Sequence, residues 1–235
     1  MDGKLDSLPI HAKRASGTAF GPDGKRYVVA GETNQVISYD AAGKETVVAD
    51  SIAGNDIIVA NNGNIYVTEP YGTEKPSKLY LIKPGGHKIV VDEGLKFANG
   101  LALTPDQTQL YVTESATHWV WIYQIQPDGT LAYKQQYGWL QVPDNAENAW
   151  PDGLRCDTAG RVYVATRMGI QILDQTGRVN AILPVPGRQC SNVCFGGANF
   201  DVLYVTCWDK VFRRKLRTKG VNQFEKPIKP VNPRL

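Results

Sequence analysis

Short apolar runs, dominated by Val, Ile, Leu, Tyr and Thr, alternate along the whole chain with clusters of Gly, Asp, Asn and Pro. No stretch of about twelve or more residues keeps the 3.6-residue period of an amphipathic helix, so the runs read as strands and the clusters as turns. One unit recurs: a small or polar residue pair, a short apolar strand, a turn, and a second strand built on Tyr-Val. It begins at Ser16, Asn55, Asn99, Asp152 and Ser191, at spacings of 39, 44, 53 and 39 residues. A period of about 40 to 50 residues is that of propeller blades. The first four units run on into a third and a fourth strand. From Asn99 these are VWIYQI at 120–125 and, after a PDG turn, LAYKQQY; from Asp152 they are IQILD and VNAIL. The pattern predicts an all-β chain, a β-propeller with five recognisable units, the first four of them four-stranded.

The third unit carries a longer excursion, GWLQVPDNAENAWP, from Gly138 to Pro151. As a rim loop it would bring Trp139 or Trp150 over a central channel. As a packing loop it would lay its tryptophans on the blade surface.

Composition narrows the function classes. A chain of 235 residues, 42% hydrophobic, can bury a core without disulfides, and its evenly spread turn residues predict one domain over 1–235. The net charge of +3 owes much to Arg213, Arg214, Lys215, Arg217 and Lys219. With no basic stripe interleaved with aromatics, residues 217–235 read as a solvated, basic, Pro-containing tail and nucleic acid is not expected as a partner. The four cysteines form no CxxC pair. Cys156, Cys194 and Cys207 fall in strand patterns as small buried thiols, and Cys194 and Cys207 are expected on neighbouring strands. The opening MDGKLDSLPIHAKR has no apolar leader core, and no run approaches the roughly 18 apolar residues of a span. Read as it stands, the chain is cytoplasmic, with no membrane partner; with a segment ahead of Met1 it would be periplasmic or secreted. The histidines His11, His87 and His118 are scattered over turns and strand starts, and no GxSxG, P-loop or HExxH pattern occurs.

Four phrases carry a family resemblance: GNDIIVANNGNIYVTEPYG from Gly54, FANGLALTPDQTQLYVTE from Phe97, PDGLRCDTAGRVYVAT from Pro151 and SNVCFGGANFDVLYVT from Ser191. In this order and spacing the chain resembles the SMP-30/gluconolactonase family. That resemblance implies a six-bladed propeller with a divalent cation in its central channel, Ca²⁺ first, with Mg²⁺, Mn²⁺ or Zn²⁺ as alternatives. It assigns Asn99 and Asp152 as metal ligands, with Asn55 as a further ligand or substrate contact. Asp56 beside it and Trp150 on the loop are expected to touch substrate. The residues agree with a hard site, since two amide oxygens and one carboxylate suit Ca²⁺, Mg²⁺ or Mn²⁺ better than a thiolate-seeking metal. Against this stands the ordinary use of Asn and Asp in turns, where they bond their own backbone.

The implied activity is hydrolysis of a small-molecule sugar lactone, with Asp152 as general base. The chain departs from the family at one ligand: the Glu of the first blade has no counterpart, and Glu93 precedes the wrong strand. Residues 1–14 read as the remnant of a first blade that is mostly missing. An open six-blade geometry with a gap is expected, and with it self-association through the open edges. The alternative function is a non-catalytic propeller, a binding scaffold or an inactive lactonase remnant.

Overall fold

A computed structural model describes residues 13–71, 75–187 and 189–229, and the expected remnant strand before residue 13 lies outside them. Nineteen strands and no α-helix are found among the described residues. Blade A is β1 (Ala15–Phe20), β2 (Arg26–Ala30), β3 (Gln35–Tyr39) and β4 (Glu45–Ala49). Blade B is β5 (Ile57–Val59), β6 (Ile65–Glu69), β7 (Ser77–Ile82) and β8 (Lys88–Leu95). Blade C is β9 (Ala98–Leu103), β10 (Gln109–Glu114), β11 (Trp119–Ile125) and β12 (Leu131–Trp139). Blade D is β13 (Leu154–Cys156), β14 (Val162–Thr166), β15 (Gly169–Leu173) and β16 (Val179–Leu183). Blade E has three strands, β17 (Cys190–Gly196), β18 (Val202–Cys207) and β19 (Lys210–Lys215). Each blade is an antiparallel meander, as the repeat predicts.

The second strands explain why the Tyr-Val runs are apolar on both faces. All of β6 and β14 is buried, because a neighbouring blade covers each side. Blade–blade packing then forms the core. Ile58, Tyr66 and Leu81 of blade B meet Leu101, Leu103 and Leu110 of blade C. Tyr163 and Ile170 of blade D meet Val193 and Phe195 of blade E. The Tyr66 hydroxyl also donates to the Gly129 carbonyl of the next blade at 2.8 Å. The outer strands alternate or stay exposed, as β16 and β19 do.

Among the described residues, both end blades keep exposed apolar positions. On blade A, Phe20 is 54% exposed; on blade E, Val211 is 65% exposed and Cys194 is also exposed. β1 packs on β5, and β17 packs on β13 and β14. The exposure of Cys194 corrects its expected burial. The expected placing of Cys194 and Cys207 on neighbouring strands holds, on β17 and β18: Cys194 lies opposite Tyr204, and Cys207 is paired across the ladder with Cys190.

The basic tail is also corrected. Beyond β19 the chain runs back beneath the inner strands rather than into solvent. Val221 N donates to Cys156 O, and the Gln223 side chain takes Leu103 N at 3.0 Å and gives to Leu103 O at 3.3 Å. Asn61 Nδ2 bonds Phe224 O, and the Phe224 ring lies 6.2 Å from Phe20. The strap thus touches the ends of inner strands from blades A to D, and its Gly220 N reaches Phe200 O of blade E. Gln223→Ala would leave the Leu103 N–H and C=O without partners, a cost of about 2 kcal/mol. A melting curve should show Tm lower by several degrees, whereas Lys229→Ala should leave it unchanged.

Candidate functional site

The residue pairs that open the inner strands lie side by side at the channel mouth opposite the strap. They are Ser16–Gly17, Asn55–Asp56, Asn99–Gly100, Asp152–Gly153 and Ser191–Asn192. A chain of hydrogen bonds links each to the next. Gly17 N donates directly to Asn55 O at 2.6 Å, and Gly153 N to Ser191 O at 3.0 Å. At the two junctions between these a threonine hydroxyl intervenes. Asp56 N donates to Thr68 Oγ1, which donates to Asn99 O at 2.7 Å. Gly100 N donates to Thr113 Oγ1, which donates to Asp152 O at 2.7 Å. The position that holds Thr68 and Thr113 holds Val29 in blade A and Ala165 in blade D, where the contact is direct. The second residues crowd together: a Cβ on Gly100 would lie 2.8 Å from Gly153 Cα, and one on Gly17 would lie 2.7 Å from Asp56 Cα. Glycine in the NG and DG pairs is therefore a packing requirement.

This ring brings Asn55, Asn99 and Asp152 to one mouth. Asn99 is 4% exposed and Asp152 and Asn55 are half-buried. Burial, and then the negative charge of Asp56, raises the Asp152 carboxyl to about 7, against smaller opposing hydrogen bonds from Gly153 N and Asn99. Turn-capping aspartates behave in the opposite sense. Thr130 and Thr176 donors hold Asp128 and Asp174 below the usual carboxylate range. Asp152 is thus not a turn cap, and no lysine or arginine forms an ion pair with it among the described residues.

Asp56 is placed differently from its expected role. It is 3% exposed, and its two oxygens accept from Ile57 N and Leu101 N. Its Oδ2 also lies 3.9 Å from Arg155 Nη1, which bonds Leu101 O at 3.1 Å. It is a staple under the mouth, with neither oxygen open to a substrate. Trp150 does stand on the rim, in a left-handed backbone (φ 46°), its ring 5.9 Å from Phe97 and 5.4 Å from the Arg167 guanidinium. Trp139 does not: it lies on the outermost strand, stacked at 3.8 Å on His118, so neither lines the channel. Beside Ser191 a polar cleft of about 710 Å³ opens, lined by Pro143, Asn145, Arg167, Gln189 and Trp208. Glu69 and Glu114 end strands near the same mouth, and both are already engaged by neighbouring donors. Glu69 is held by Ala53 N, Tyr71 and Tyr80, and Glu114 by Lys96 N, Thr117 and Trp121.

Sequence reasoning missed Thr68, Thr113 and Ser115. The signal is a Thr after Tyr-Val in YVTE and YVTES, and threonine satisfies a strand pattern equally well.

Fold and mouth together define a β-propeller whose inner-strand pairs present amide and carboxylate oxygens to a central channel. Residues 4–208 match the SMP-30/gluconolactonase/LRE-like region, and the chain belongs to that family. It is 29% identical to a gluconolactonase of Zymomonas mobilis over 93% of this chain and 68% of the relative. It is 24% identical to the pentonolactonase XacC of Haloferax volcanii over 84% of this chain and 68% of that protein. Among solved structures, a structural-genomics target assigned to the gluconolactonases superposes with a TM-score of 0.81 at 22% identity, covering 94% of this chain and 80% of its own.

Proposed function

We propose that this chain hydrolyses a sugar lactone at the mouth formed by Asn55, Asn99 and Asp152. The observation that carries the reading is the Asp152 carboxyl, raised to about 7 beside Asn99 while turn aspartates move the other way. A buried carboxyl whose charge is left uncompensated in the cation-free protein is one that a cation would relieve, and it is placed to exchange a proton with water at the mouth. The names of the relatives supply the substrate class.

The donor chemistry fits a divalent cation. Asp152 lies where negative charge is not neutralised, since Arg155 serves Asp56. No group of three or more His, Cys, Asp or Glu occurs among the described residues, so Asp152 would be the sole carboxylate, completed by the amide oxygens of Asn99 and Asn55. Such a set favours Ca²⁺ or Mn²⁺ and predicts weak affinity, because affinity follows ligand charge. When bound, a cation there would polarise the lactone carbonyl and acidify water.

The chain's own residues do the rest. The lactone would sit over Asn55, Asn99 and Asp152 at the mouth, with Trp150 against Arg167 at the rim and the cleft lined by Arg167 and Ser191 beside it. Asp152 takes a proton from water as the oxygen adds to the carbonyl carbon. The ring C–O bond then breaks, and the departing alkoxide takes that proton from Asp152 to give the free hydroxy acid. Asn55, whose side chain makes no hydrogen bond among the described residues, is free to orient the ester.

The test is glucono-lactone hydrolysis followed with a pH indicator, corrected for the spontaneous rate. Wild type should exceed that rate, lose the excess in EDTA and regain it with Ca²⁺ or Mn²⁺. His118→Ala, on the outer strand, should retain the wild-type rate. A folded wild-type chain no faster than the spontaneous reaction would leave the binding-scaffold reading in its place.

A further inference from the structure

The contact between Asn99 and Asp152 differs from every other junction in the ring. Thr113 and Ser115 project from one side of the β10 strand and its extension, two residues apart, and both are fully buried. Thr113 Oγ1 accepts from Gly100 N at 2.8 Å and donates to Asp152 O at 2.7 Å. Ser115 Oγ donates to Pro151 O at 2.5 Å and accepts from Asn99 Nδ2 at 3.0 Å. Two parallel hydroxyl bridges therefore tie the Asn-Gly pair of blade C to the Pro-Asp pair of blade D. The corresponding junction between blades B and C has one such bridge, through Thr68, because Pro70 stands where blade C has Ser115. Blades A, D and E carry Gly31, Arg167 and Trp208 at that position.

The second bridge also settles which way the Asn99 amide faces. A serine hydroxyl has one hydrogen, and here it is committed to the Pro151 carbonyl, so toward Asn99 the oxygen can only accept. The amide must present Nδ2 to Ser115, and the same nitrogen is the donor that meets the Asp152 carboxyl in the cation-free protein. Its oxygen faces away, and it is the atom of Asn99 that accepts no hydrogen bond among the described residues.

We infer that Ser115 and Thr113 are positioning residues: Ser115 orients Asn99 so that its amide oxygen is offered as a ligand, and Thr113 sets the separation of Asn99 from Asp152. The inference rests on the proposed reading of this mouth as a cation-assisted lactonase centre. Neither hydroxyl touches the reacting atoms. Without Ser115 the amide loses its reason to hold one face over the other, and a flipped amide would turn a donor toward the cation.

Calorimetric titration of the purified full chain with Ca²⁺ and with Mn²⁺, beside melting curves, tests this without recourse to activity. Ser115→Ala should weaken binding about 10- to 100-fold, the usual effect of losing a group that orients a metal ligand. Ser115→Thr keeps the hydroxyl and should restore wild-type affinity, a rescue that mere loss of packing would not produce. Thr113→Val, isosteric and without the relay, should also weaken binding by about tenfold, and it carries the test alone should Ser115→Ala fail to fold. Equal affinity in the folded variants and wild type would overturn the inference and leave the proposed function standing. A wild-type chain that binds neither cation would overturn both.

Discussion

Asp152→Asn is expected to abolish lactone hydrolysis while making the cation-free protein more stable at pH 8. The two effects have one origin. Among the described residues the carboxylate is the one candidate base at the mouth, and loss of a general base costs about 10²- to 10⁴-fold in rate. The same group is held where its charge is unwelcome, by burial first and by Asp56 second, which puts its folded pKa at about 7. The unfolded chain would titrate it at about 4. A folded pKa above the unfolded one means that the folded state keeps the proton longer. The stability this group lends is complete below about pH 4 and is lost as pH rises through about 7. At pH 8 the full penalty applies, at most about 3 kcal/mol for a half-buried group. The neutral Asn escapes it, so in EDTA the variant should melt higher than wild type at pH 8, with the gap closing as pH falls toward 4. A variant that keeps activity, or that melts below wild type throughout, would contradict the assignment. Bound cation should reverse the ranking, since it stabilises wild type in proportion to its occupancy and finds no carboxylate in the variant.

Gly100→Ala is expected to be among the most damaging single-methyl changes in the chain. The added carbon would press on the Asp152 carbonyl oxygen and stand 2.8 Å from both Gly153 Cα and Leu154 Cδ2. Backbone from two blades meets there, and although the Leu154 methyl could turn aside, the Asp152 carbonyl and Gly153 Cα could not. Overpacking of this kind costs about 3 kcal/mol. It would also push blade C from blade D at the point where Asn99 faces Asp152, so cation binding should weaken together with Tm. Gly24→Ala makes the control: its Cβ would meet nothing within 4 Å, although its φ of 75° strains any other residue. That strain alone costs about 1 kcal/mol. Chemical denaturation of the three proteins orders them, and a Gly100 variant as stable as the Gly24 variant would show the junction to be looser than described.

These two positions also mark what could be read from the chain before its fold was known. The blades were legible because Tyr-Val strands and Gly-Asp turns repeat with a fixed spacing, and the register of that repeat set Asn55, Asn99 and Asp152 at equivalent strand starts. Chemistry within a pair was not legible. Asp56 and Asp152 are both aspartates of inner-strand pairs, yet Asp56, second in its pair, is a buried staple to Leu101 N, and Asp152, first in its pair, faces the mouth. The strap escaped notice for a similar reason. Its anchor is the amide of Gln223 bonding Leu103 on both sides, and a polar residue in a basic, Pro-containing segment carries no burial signal.

The central claim is that Asn99 and Asp152 form one cation-assisted centre for lactone hydrolysis. Anomalous scattering from crystals of this chain soaked in Mn²⁺ tests it most directly. The expected result is a single strong peak at the mouth, within coordination distance of Asp152 Oδ and Asn99 Oδ1, which disappears in crystals of Asp152→Asn. Manganese absent from the mouth of well-diffracting wild-type crystals, or bound only on the blade exteriors, would contradict it.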